Sequence, residues 1–131
     1  MERRIINPWT WQDQYGFVQA NEVSGVSRTL ICSGQTAIDA NGHAVHAGNM
    51  AAQVQTSFDN LEAVLGQAGF SLADVVRLTV YTTDVDALLE AYGPMATRLA
   101  QAECRAAQTL LGVARLAFPE LLVEIEATAM K

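Results

Sequence analysis

Between Met50 and Thr83 the hydrophobic pattern changes its period, and no other feature constrains the fold as much. From Met50 to Ala68 the residues Val54, Phe58, Leu61, Leu65 and Ala68 recur at the three-and-four spacing of one helical face. Asn49 is placed to cap the first turn, and Gly69 follows the last. The next run, VVRLTVYTT at Val75 to Thr83, is dense in β-branched residues, which are stiff at χ1 and favour extended backbone. A one-faced helix followed at once by a strand predicts a helix lying on a sheet.

The flanking sequence extends that arrangement. Runs at Tyr15 to Val23 and Thr29 to Ser33 flank EVSGVSR, whose Gly25 and serines suit a hairpin connection. AIDANGHAVHAGN holds the turn formers Asp39, Asn41 and Gly42 and reads as an exposed loop. A second helix is predicted from Asp86, with Pro94 forcing a kink or restart at Gly93-Pro94 because it lacks a backbone donor. Thr109 to Leu116 and Leu121 to Ala129 read as closing strands. The order predicts an α+β domain with a mixed sheet, two helices packed on one face, and parallel pairs made by right-handed crossovers. That leaves the second face without helical cover. Since half the residues are hydrophobic, another copy of the chain is expected to cover it.

At 131 residues, with no repeat or linker, residues 1–131 read as one domain. A formal net charge of −6 makes nucleic acid an unlikely partner, because the summed field repels phosphate. No apolar run reaches the roughly 18 residues needed to span a membrane. MERRIINPWTWQDQ has no apolar stretch of secretory length, so a cytoplasmic location is expected. Cys32 and Cys104 are far apart and read as buried free thiols. His43 and His46 have H-x-x-H spacing but no third ligand nearby, so no metal site is expected. Phosphate-binding glycine loops and dinucleotide fingerprints are absent from the sequence.

Two segments could carry chemistry. In LLVEIEATA, alternation puts Glu124, Glu126 and Thr128 on one face, the two carboxylates roughly 7 Å apart. Such a pair is either a solvated edge or includes a general base that positions water. In LICSGQ, residues Ser33, Gly34 and Gln35 follow a buried strand before any turn signal, and either end it or line a site.

ICSGQ, AAQVQTSFDNLEAVLGQAG, VVRLTVYTTDVD and VARL with LLVEIEATA together resemble the Rid family of reactive imine and enamine deaminases over about residues 14 to 129. These YjgF-type proteins are often labelled endoribonuclease L-PSP-like. The resemblance implies a chorismate-mutase-like (YjgF-type) fold and a homotrimer with small-molecule clefts at the subunit interfaces. It also implies hydrolysis of enamines and imines to a carbonyl compound and ammonia, with no metal or cofactor. Ser33, Gly34 and Gln35 match the cleft-lining strand end, and Glu124 matches the acid that orients water.

Two positions depart from the pattern. Phe17 stands where many members have a tyrosine. With the alignment anchored on VARL at Val113 to Leu116, Gln108 falls where deaminating members carry the arginine that grips a substrate carboxylate. Arginine–carboxylate bonds contribute about 1.5–3 kcal/mol and neutral amide bonds about half that. The deficit amounts to roughly five- to thirty-fold in binding. Arg105 and Arg115 have the opposite strand parity from Gln108, and Arg77 reads as a counter-ion for a glutamate. A non-catalytic trimeric metabolite-binding protein is therefore a second reading, and an endoribonuclease a third that the acidic charge opposes.

Overall fold

VEIEATAM becomes β6 (Val123–Met130), an inner strand of a four-stranded sheet in the computed structural model, which describes residues 1–131. The order is β3-β6-β4-β5, with β3 Thr29–Ile31, β4 Val75–Thr82 and β5 Ala107–Gly112. β6 runs antiparallel to β3 and β4, while β4 and β5 are parallel, so the sheet is mixed. Parallel neighbours need a crossover, and here it consists of α2 (Val85–Glu90) and α3 (Tyr92–Gln101).

The long helix α1 (Met50–Gln67) begins as its cap predicts, the Ala52 N–H donating to Asn49 Oδ1 at 3.0 Å. Its stripe of Val54, Phe58, Leu61 and Leu65 is buried against Leu78 and Val80 of β4 and Val123, Ile125, Ala127 and Ala129 of β6. Fully burying such side chains stabilises the fold by about 1.5–3 kcal/mol each. Three helices cover this face rather than two. The break falls at Ala91, two residues before the predicted site, which makes Pro94 the third residue of α3. There its missing N–H has no intrahelical partner to lose, so the proline opens a helix instead of kinking one. Arg98 ties α3 to α1 by donating to Gln55 O at 3.0 Å and Asp59 Oδ1 at 2.7 Å.

The expected hairpin between Tyr15–Val23 and Thr29–Ser33 does not form. Trp11–Tyr15 is a 3-10 turn ended by Gly16 at φ 75°, and only Ala20–Ser24 is extended, as β2. β2 pairs instead with β1 (Glu2–Ile6), a strand the charged sequence ERRII did not advertise, with Arg4 and Glu22 joined at 2.6 Å. β3 pairs with β6, which puts Leu30 against the main core. At the other end β5 stops at Gly112, four residues before its expected end, although the Val113 N–H still reaches Thr82 O at 2.8 Å. No helix is long and apolar enough to cross a membrane.

Register fixes what the uncovered face presents. Arg77, Thr79 and Tyr81 of β4 stand opposite Thr128, Glu126 and Glu124 of β6 and face away from the helices. Ile31 and Leu111 share that face and are 81% and 45% exposed. The face is thus more polar than the composition predicts, with two large apolar side chains left uncovered.

Candidate functional site

β3 does not end cleanly at Ile31. Ile31 stands opposite Thr128, and Gln35 stands opposite Ile125 in a further antiparallel bridge. The chain takes four steps where β6 takes three, so Ser33-Gly34 contains a β-bulge. Gln35 N–H donates to Ile125 O at 2.8 Å, and Ile125 N–H returns a bond to Gln35 O at 2.9 Å, which closes the bulge. Bulges re-aim side chains and recur beside active sites. Asn60 of α1 fixes the exit from it by donating to Thr36 O at 2.8 Å and Ile38 O at 2.9 Å.

The glutamate of β6 fills the space this bulge opens. A Cβ built on Gly34 would lie 2.0 Å from Glu124 Oε1 and 2.7 Å from its Cδ, so the carboxyl sits directly over the glycine backbone. Glu124 has no protein hydrogen-bond donor, whereas Glu126 accepts the Tyr81 hydroxyl at 2.5 Å. That bond holds the Tyr81 phenol above its ordinary value, with burial adding to the rise. Arg77 donates to Thr109 Oγ1 at 2.7 Å, not to a carboxylate, contrary to the counter-ion role read from the sequence. Ser33 is exposed, and Gly34, Gln35 and Glu124 are half-buried. The structure therefore brings Ser33 and Gly34 beside Glu124 at the bulge, while Gln35, in register with the core residue Ile125, belongs to the helix face and its Nε2 donates to Ser33 O at 3.2 Å.

Gln108 and Phe17 lie elsewhere. Gln108 is in register with Leu78, whose side chain is buried under the helices, so in a parallel pair both point to that face. Its Nε2 donates to Gly16 O at 3.4 Å, and the Tyr92 hydroxyl donates to its Oε1 at 3.5 Å and to Tyr15 O at 3.0 Å. Burial pushes the Tyr92 phenol up, with the neighbouring Tyr15 adding to the rise. Phe17 follows Gly16 and packs edge-on against Trp11, ring centroids 5.8 Å apart. Val18 bridges to Ala107 and carries this segment along the outer edge of β5. Within one chain, Gln108 and Glu124 stand two strands apart on opposite faces. Tyr92, the first residue of α3, is the site neighbour the sequence reading missed, because nothing in a predicted helix from Asp86 shows where its hydroxyl will point.

The remaining candidates are peripheral. His43 Nδ1 lies 3.9 Å from Asp39 on an exposed loop, and His46 adopts φ 60° at the approach to α1. Cys32 and Cys104 are free and buried, and burial pushes the Cys104 thiol up to about 11.

A profile described as endoribonuclease L-PSP matches residues 14–131. The chain belongs to this family. Among solved structures, YyfB of Yersinia pestis, described as a member of the conserved Rid protein family, is 42% identical, with a TM-score of 0.89 over 100% of both chains. The YjgF gene product of E. coli is 27% identical, with a TM-score of 0.71 over 87% of each chain. A RutC family protein of Pyrococcus horikoshii is 32% identical over 102 residues, which is 78% of this chain and 79% of that protein. The mixed α+β architecture is thus that of the Rid and YjgF proteins.

Proposed function

We propose that the protein hydrolyses small reactive imines or enamines to carbonyl compounds and ammonia, with a substrate preference shifted away from carboxylates. The observation that carries this reading is the Glu124 carboxyl, unpaired and seated over the Gly34 bulge. In this mechanism Glu124 accepts a proton from water, and the oxygen attacks the imine carbon to give a carbinolamine. That proton passes to nitrogen; Glu124 next takes the proton of the carbinolamine hydroxyl and delivers it to the amino group, so the C–N bond breaks and ammonia leaves as the carbonyl forms. An enamine enters the same route after protonation at carbon. Ser33 lines the water side of the cleft, and Gln35 closes the bulge that seats Glu124.

The two halves of the candidate site lie on opposite faces of one chain, so the cleft is completed between copies. One copy contributes Ser33, Gly34 and Glu124, and the next contributes Phe17, Gln108 and Tyr92. The family's homotrimer is the assembly this reading adopts, and the exposed Ile31 and Leu111 give it apolar surface to bury. Sedimentation should return three times the 14.1 kDa chain mass. A particle of single-chain mass at micromolar concentration would remove the shared cleft.

Gln108 favours a second reading, a trimer that holds a metabolite without turning it over, because its amide carries no charge and already meets Gly16 and Tyr92. Imino acids generated in place by an amino-acid oxidase separate the two. Faster release of keto acid and ammonia with the protein than without it supports hydrolysis. No acceleration for any imine, charged or uncharged, leaves the binding module. The family's ribonuclease label finds little support in a face that presents Glu124 and Glu126 on a chain of net charge −6.

A further inference from the structure

Acidic residues outnumber Lys and Arg by 14 to 8, so arginines that find no carboxylate partner call for explanation. One such arginine stands at a groove. It has a volume of about 880 Å³ and lies between the N-terminal segment and the turn that joins α3 to β5. Arg105 lines it, in irregular chain just before β5, and its exposed guanidinium makes neither an ion pair nor a hydrogen bond. Arg3 does not line the groove but donates to the carbonyl of one lining residue, Ala73, at 3.1 Å and to Val75 O at 2.7 Å. Its Nε is buried without a partner.

The same groove holds Asp13 and Glu103, neither paired with a cation. Phe17, Val18 and Ala100 supply an apolar stretch between the charges. Charges of both signs oppose a plain anion or a plain cation, since each would meet a like charge as well as a partner. We propose that the groove binds a small zwitterion, an α-amino acid with an apolar side chain. Its carboxylate takes the fork of Arg105, its ammonium faces Asp13 or Glu103, and its side chain lies over Phe17 and Val18. This groove adjoins the imine cleft through Phe17 and includes none of Gln108, Tyr92, Ser33 or Glu124.

The test is calorimetric and NMR titration of the full chain with L-phenylalanine as probe, beside 3-phenylpropanoate, which lacks the amine, and 2-phenylethylamine, which lacks the carboxylate. The expected result is saturable binding of one phenylalanine per chain, with shift changes centred on Gly16–Val18 and Glu103–Arg105. Each single-charge analogue should bind at least about ten-fold more weakly, and Arg105→Ala should weaken phenylalanine by a similar factor. Arg105 is exposed, so its replacement leaves the fold intact, and Arg105→Lys should recover part of the loss. Glu124→Gln should bind phenylalanine as the unaltered chain does, whether or not the imine reading holds. Absence of saturable binding, equal binding of either analogue, insensitivity to Arg105→Ala, or loss in Glu124→Gln would each overturn the proposal.

Discussion

Tyr81 stands opposite Glu124 in the β4–β6 ladder, yet it gives its hydroxyl to Glu126, two pairs further along, at 2.5 Å. The bond ties up one of two neighbouring carboxylates and leaves the other free over Gly34. It also makes the phenol harder to ionise, as burial does for Tyr92. A phenol that holds its proton more tightly when folded contributes stability that is complete below the ordinary phenol range, near pH 10, and is lost as pH rises through the folded value. Ultraviolet titration should therefore show Tyr81 and Tyr92 ionising late, and Tyr81→Phe should remove one late step and soften the alkaline fall in stability. A variant that titrates like the unaltered chain would place the Tyr81–Glu126 bond in doubt.

Gly34 should tolerate no side chain where catalysis is concerned. A Cβ there would meet Glu124 Oε1 at 2.0 Å, and the flexible carboxyl can swing away, so the fold survives while the water-positioning group moves. Misplacing a reacting group by about 1 Å costs on the order of a hundred-fold in rate. Gly34→Ala should therefore approach Glu124→Gln in imine hydrolysis, expected to fall by about 10²–10⁴-fold, with circular dichroism unchanged. Gly34→Ala at full rate would disconnect the bulge from the chemistry.

Gln53 is a structural polar group on α1. Fully buried, it donates to His46 O at 3.1 Å and Glu120 O at 2.8 Å, and accepts the Leu122 N–H at 2.8 Å. It thereby joins the helix to the segment entering β6, and so sets where Glu124 begins. Leaving buried polar groups unsatisfied costs about 1–3 kcal/mol each, so Gln53→Leu should destabilise the fold by about 3 kcal/mol. The check is a lower urea midpoint at unchanged slope.

What could be read from the sequence was local. The α1 stripe and the β6 alternation are long and one-faced, so period alone fixed both helix and strand. The Tyr15–Val23 hairpin failed because strand partners are chosen by non-local packing: Leu30 gains core burial on β6, and β2 pairs with charged ERRII. Gly34 carried a signal for the bulge, since a lone glycine inside a strand pattern marks one, but the sequence reading took Ser33-Gly34-Gln35 only as a strand end or a site lining. Parity alone puts Gln108 with Leu110, but only the register with Leu78 shows that their face is the helix face, opposite Glu124. Tyr92 carried no signal, because nothing in a helical stripe says which ring will turn its hydroxyl toward a neighbouring strand.

Gln108→Arg tests the departure from the family pattern. Its two bonds, 3.4 Å to Gly16 O and 3.5 Å from the Tyr92 hydroxyl, are long, so the amide is weakly held and little is lost by replacing it. Arginine reaches further and presents a charged fork of donors that matches a carboxylate. For imines bearing a carboxylate, kcat/KM should rise about five- to thirty-fold, expressed mainly as a lower KM, because the added interaction binds substrate and transition state alike. Uncharged imines should be hydrolysed at the unaltered rate. If the variant gained nothing on carboxylate-bearing imines, the missing guanidinium would not be what sets the preference, and the pairing of Gln108 with Glu124 across copies would lose its support.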